Sequence, residues 1–120
     1  MQKLPADACQ ISELIAATRA EGETALAVMP EDLVGYVRQY DASIRLLYGR
    51  RSKSEKPVRK IRRQMRKEQP KIKKLIRRIR QQGVNYLVFL ADEQQDTKIR
   101  RNGFEKIGKV GGYSVYKDKW

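Results

Sequence analysis

The chain has 120 residues, 40% of them hydrophobic, with 27 Lys and Arg against 14 Asp and Glu, one cysteine and no histidine. That length suits one domain spanning 1–120 with one core, while a lone Cys9 and the lack of histidine exclude an internal disulfide and a Cys/His zinc site and fit a reducing cytoplasm. The formal charge of +13 is unevenly placed: residues 1–49 hold 4 bases and 7 acids, residues 50–80 hold 16 and 2, and residues 81–120 hold 7 and 5.

After Pro5, the residues Ile11, Leu14, Ile15 and Thr18 recur at the spacing of one helical face, with Asp7 as an N-cap and Gly22 as a stop, which predicts a helix over about 7–21. Its Asp7, Glu13, Arg19 and Glu21 rule out a signal-peptide core or a membrane span. TALAVM (24–29), LVGYVRQY (33–40) and SIRLLYG (43–49), separated by PED and YDAS, read as three antiparallel strands.

RRSKSEK (50–56) reads as a polar loop, and Pro57 suits the first turn of a helix. In that helix Val58, Ile61 and Met65 form a thin apolar stripe, and Arg59, Lys60, Arg62, Arg63, Arg66 and Lys67 cover the rest. Pro70 breaks it, and Ile72, Leu75, Ile76 and Ile79 give a second helix a fuller apolar face, ended by Gly83. NYLVFLA (85–91) is a continuous apolar run, the pattern of a central strand covered on both faces. A short helix follows over EQQDTKIRR, then the turn signal Asn102-Gly103, the start of a strand at Phe104 with Ile107 returning to the core, and a last strand, GYSVYK (112–117). The order predicts an α/β domain with a mixed, mostly antiparallel sheet flanked by helices, and a strongly basic two-helix segment over 50–82.

This order of elements, with the central strand at 85–91, the short helix at 94–102 and the dipeptide Gly103-Phe104, resembles the GNAT superfamily of acyl-CoA N-acyltransferases. Its antiparallel meander would be residues 24–49, and DLVGYV (32–37) looks like the second meander strand. The resemblance implies acetyl-CoA as cofactor, held in the loop after the meander and against a splayed pair of strands at about 45–49 and 86–91. The positions matching the family's pyrophosphate loop are Arg51, Ser54 and Lys56, so its glycines are missing; Ile99 stands where many members have a tyrosine that protonates the departing thiolate. Tyr48 and Tyr86 remain as tyrosines that could take that role, and each also reads as a core residue.

Cys9 has no basic partner to activate it and reads as a packing or surface residue. Asp92, Glu93 and Asp96 follow the central strand, a place where α/β proteins put functional carboxylates, but they also suit a helix N-terminus; no metal is expected.

The basic segment is the stronger functional feature. A solvated helix alternates signs, whereas here like charges repeat at i, i+3 and i+4, which disfavours the isolated helix. Phosphates relieve that repulsion, so Arg50, Arg51, Lys53, Arg59, Lys60, Arg62, Arg63, Arg66, Lys67, Lys73, Lys74, Arg77, Arg78 and Arg80 are the predicted contacts to DNA, RNA or a ribonucleoprotein. The segment has no Trp or Phe to anchor it in a membrane surface. The expectation is a cytoplasmic, non-catalytic nucleic-acid binder without a cofactor; the alternative is an acetyl-CoA-dependent N-acetyltransferase acting on a nucleic-acid-associated or ribosomal substrate.

Overall fold

The computed structural model describes residues 4–47 and 56–119. In chain order these form α1 (Leu4–Thr18), β1 (Leu26–Val28), α2 (Glu31–Tyr40), β2 (Arg45–Leu46), α3 (Lys56–Arg66), α4 (Ile72–Gln81), β3 (Tyr86–Phe89), α5 (Glu93–Arg101), β4 (Phe104–Val110) and β5 (Tyr113–Asp118). The sheet order is β2-β1-β3-β5-β4; β1 runs parallel to both β2 and β3, and β5 is antiparallel to both β3 and β4. Among the described residues no helix is long and apolar enough to cross a membrane.

Helices cover both faces. Along β3 the side chains alternate, Tyr86 and Val88 toward one cluster, Leu87 and Phe89 toward the other, as a strand's two-residue period requires. The first cluster contains Ile11 and Ile15 of α1 and Leu33, Val34 and Val37 of α2. The second contains Ile61 of α3, Leu75, Ile76 and Ile79 of α4, and Ile99 of α5. Burial of all four β3 residues matches the two-sided strand expected from its unbroken apolar run.

The expected antiparallel meander is not present. Its middle member is helix α2, and the strands on either side are parallel neighbours, so half of the sheet's pairings are parallel. LVGYV satisfies both periods, since Leu33, Val34 and Val37 also make one helical face. Glu31 and Asp32 in the first turn complement the helix dipole, and a helix lets β1 cross over to β2 in parallel. Helix α1 is shifted from the expected 7–21 to Leu4–Thr18, which puts Asp7 inside its first turn rather than at its N-cap, and the other elements lie close to where expected. Pro57 sits in the first turn of α3, Pro70 between α3 and α4, and Gly103 takes φ +92 after α5, a conformation that disfavours a β-carbon. The strand beginning at Phe104 runs to Val110 and pairs with β5 as an edge hairpin.

At the end of β3 nearer α1, a polar cluster ties the loop after α1 to the sheet. Lys117 Nζ donates to Glu23 Oε2 at 3.2 Å and to Thr18 O at 3.3 Å; Asn85 Nδ2 donates to Glu23 Oε1 at 3.0 Å. Burial pushes the Glu23 carboxyl up, but the Lys117 hydrogen bond and the Ala20 N–H outweigh it, and the net pKa is lowered. A depressed carboxylate contributes stability that is full above its unfolded value near 4.5 and is lost as pH falls through the lower folded value. Glu23→Gln is therefore expected to be less stable than the parent at neutral pH and to lose less on acidification below pH 4.5, read by thermal melts across that range. Parallel melting curves for the two proteins would count against this assignment.

Candidate nucleic-acid interface

Helices α3 and α4 lie on the same side of the sheet, and the apolar stripes read from the sequence are the faces they bury. Val58 and Ile61 of α3 and Ile72, Leu75, Ile76 and Ile79 of α4 are all at most 3% exposed. One buried residue escaped sequence reasoning. Gln64 is 4% exposed, and its Oε1 accepts from the Lys71 N–H at 3.1 Å, fixing the end of α3 to the start of α4 across the Pro70 turn. A carboxamide in an otherwise basic helix gives no sign of burial by itself; only its i+3 distance from Ile61 places it on the packed side.

With those stripes buried, the cations are left facing outward. Arg59, Arg62, Arg63 and Arg66 repeat at i, i+3, i+4 and i+7 and together surround an open depression of about 440 Å³. Arg59, Arg63, Lys67, Lys73 and Arg77 are exposed; Lys60, Arg62, Lys74 and Arg78 are half-buried along their stems. Lys71, absent from the expected set, is also exposed on this side. Arg50, Arg51, Lys53 and Ser54 lie outside the described residues, and Lys56 is exposed at the start of α3.

Among the described residues of the basic set, Arg66 and Arg80 are tied to carboxylates. Arg66 pairs with Glu31 at 2.9 Å, and both side chains are more than half exposed, so solvent screens the pair. Arg80 is different. It grips Asp118 with two hydrogen bonds of 3.0 Å and lies 5.0 Å from the centre of the Phe104 ring. Arg80 therefore joins α4 to β5, and its charge is offset within the fold.

The electrostatic state of Lys74 reports how the other cations are arranged. Its pKa is lowered, first by Arg78, then by Lys71, by burial, by Arg77 and by Lys60. Lys60 belongs to α3 and the rest to α4 or its N-cap, so the cations of both helices share one surface. Residues 56–82 hold 13 bases and one acid, Glu68. Across the sheet, residues 4–41, which supply α1 and α2, hold 7 acids and 2 bases. Apart from Glu31, which reaches Arg66, the sheet thus lies between a predominantly acidic layer and a basic one, the arrangement that raises local polyanion concentration.

The carboxylates after the central strand act locally. Asp92 is the N-cap of α5 in a full capping box with Gln95: its Oδ1 accepts from the Gln95 N–H at 2.8 Å, and Gln95 Oε1 accepts from the Asp92 N–H at 3.0 Å. Asp96 accepts from the Tyr116 hydroxyl at 2.5 Å, with Lys106 and Arg100 3.7 and 3.8 Å away. Burial, then that hydrogen bond, raises the Tyr116 pKa strongly, so the phenol stays protonated.

Among the described residues, the strand pair and tyrosine expected from the resemblance are not found in the expected arrangement, while Tyr48 and the loop with Arg51 and Ser54 lie outside the described residues. β1 lies between β2 and β3, so the strands near 45 and 86 are not a splayed pair. Ile99 is fully buried in the cluster with Phe104 and Tyr116, and Tyr86 is fully buried on the opposite face of the sheet. Comparison of the chain with protein-family models, with curated proteins and with solved structures finds no match.

Proposed function

We propose that this protein binds nucleic acid, alone or within a ribonucleoprotein, through phosphate contacts made by the layer of α3 and α4, without chemistry on the bound strand. The observation that carries this reading is the row of Arg59, Arg62, Arg63 and Arg66 around one depression, on the layer that also exposes Lys67, Lys71, Lys73 and Arg77; the lowered pKa of Lys74, opposed first by Arg78, agrees with it. A surface used only for solubility gains from mixed signs, about 0.2–0.5 kcal/mol per i, i+4 pair; this one forgoes that gain. Phosphates offset the repulsion and release condensed counterions as they do so. Arg59, Arg63, Lys67, Lys71, Lys73 and Arg77, all exposed, are the side chains that would make such contacts, and Arg80, held by Asp118, is left out of the set.

The test is fluorescence anisotropy with a labelled duplex at a series of salt concentrations. Six phosphate contacts give a slope of log K against log salt of about −5. A slope between zero and about −1, or no binding at 50 mM salt, would overturn the reading.

A further inference from the structure

Helices α4 and α5 bound a trough on the same layer as the arginine ridge of α3. One limb, of about 570 Å³, lies between the start of α4, with Lys71 and Lys73, and a stripe of α5 formed by Gln94, Lys98 and Asn102. The second, of about 440 Å³, continues past Asn102 along Lys73, Arg77 and Gln81, with buried Ile76 in its floor. Lys73 and Asn102 line both limbs, so the two adjoin.

The spacing gives each wall a definite chemistry. Gln94, Lys98 and Asn102 are four apart on α5 and its C-cap, and Lys73, Arg77 and Gln81 are four apart on α4, so each triplet forms one ridge. Both ridges mix cations with carboxamides. Cations suit phosphate, and the donor and acceptor of a carboxamide suit the edge of a base. Asn102 Nδ2 donates to the Lys98 carbonyl at 2.7 Å, which fixes the side chain and leaves its oxygen to accept. Asp92 also borders the trough, where its carboxylate is engaged as the N-cap of α5.

Dimensions select the occupant. A triplet spanning eight residues is roughly 12 Å long at 1.5 Å per residue, room for about three stacked nucleotides at 3.4 Å each. The carboxamides stand on both walls, beside the cations, and reach the Watson–Crick edges of bases only where those bases are unpaired. The arginine ridge of α3 beside it suits paired backbone. A folded RNA supplies both, a stem for the ridge and an unpaired stretch whose base edges are open to side chains.

Resting on the nucleic-acid reading, we infer that the α4–α5 trough takes an unpaired stretch of a folded RNA, with Gln81, Gln94 and Asn102 contacting base edges and Lys73, Arg77 and Lys98 the phosphates. The ridge then supplies affinity and the trough supplies sequence preference.

The experiment is selection from a pool of RNA hairpins with a constant stem and a randomised loop. The wild-type protein is expected to enrich loop sequences that bind roughly tenfold or more tighter than the starting pool. Gln81→Ala with Gln94→Ala is expected to weaken that preference severalfold while leaving the salt slope unchanged, since both residues are exposed and uncharged. Adding Asn102→Ala should complete the loss, and a thermal melt checks that shortening the α5 cap has left the fold intact. The inference is overturned if no loop sequence is enriched, if the amide variants keep the preference, or if a DNA hairpin of the selected sequence binds equally well. Those results leave phosphate-driven binding standing. Failure to bind any pool would remove that reading, and this inference with it.

Discussion

Replacing Arg59, Arg63 and Arg77 together by Glu is expected to weaken nucleic-acid binding by roughly a hundredfold or more at 0.1 M salt and to flatten the salt slope by about 3. Each lost phosphate contact removes about 0.9 from that slope, and the reversed charges add repulsion. The same variant should be at least as stable as the parent. Glu at position 77 stands four and three residues from Lys73 and Lys74, converting repulsive neighbours into attractive ones worth about 0.2–0.5 kcal/mol each. Binding lost while thermal stability holds or rises is the signature of charges placed for a partner. If the triple variant bound as the parent does, the phosphate-binding reading would fail; if it bound weakly but also melted early, these arginines would be part of the scaffold.

Asp118→Ala is expected to do the reverse, lowering stability by about 2–4 kcal/mol through the loss of one partner of a mostly buried pair. The Asp118 side chain is 8% exposed and that of Arg80 30%, so the guanidinium left behind is largely withdrawn from water. Arg80→Ala should cost a similar amount, because it strands the carboxylate and removes the contact over the Phe104 ring. Arg77→Ala, three residues away on the same helix, should change stability by no more than about 0.5 kcal/mol. Urea unfolding of the three variants makes the comparison, and equal stability for Arg77→Ala and Arg80→Ala would show that the ion pair with Asp118 contributes little. Two arginines less than one helical turn apart thus carry separate duties.

Features governed by short-range rules were legible in the sequence. Pro70 parts α3 from α4, Gly83 takes φ +79 after α4, and Asp92 stands with the acids at the head of α5, all from the properties of a few adjacent residues. The apolar stripes of α3 and α4 predicted which sides pack. Features set by distant partners were not legible. LVGYV became a helix because β1 and β2 pair in parallel, a choice made by residues nineteen apart. Arg80 is withdrawn from the basic set by Asp118, 38 positions later, and nothing near Arg80 in the sequence marks it off from Arg77 or Arg78. The trough was not legible for the same reason: its carboxamides come from two separate helices, and only the packing of α4 beside α5 brings them together.

The central claim is one of sidedness, that nucleic acid meets the α3, α4 and α5 layer and leaves the α1 and α2 layer untouched. Amide chemical-shift mapping during titration with a short RNA hairpin tests it most directly. The predicted result is movement at Arg59, Arg63, Lys73 and Arg77, with no change at Glu13 in α1 or Arg38 in α2. Shifts on the acidic layer, or spread evenly over both faces of the sheet, would contradict it.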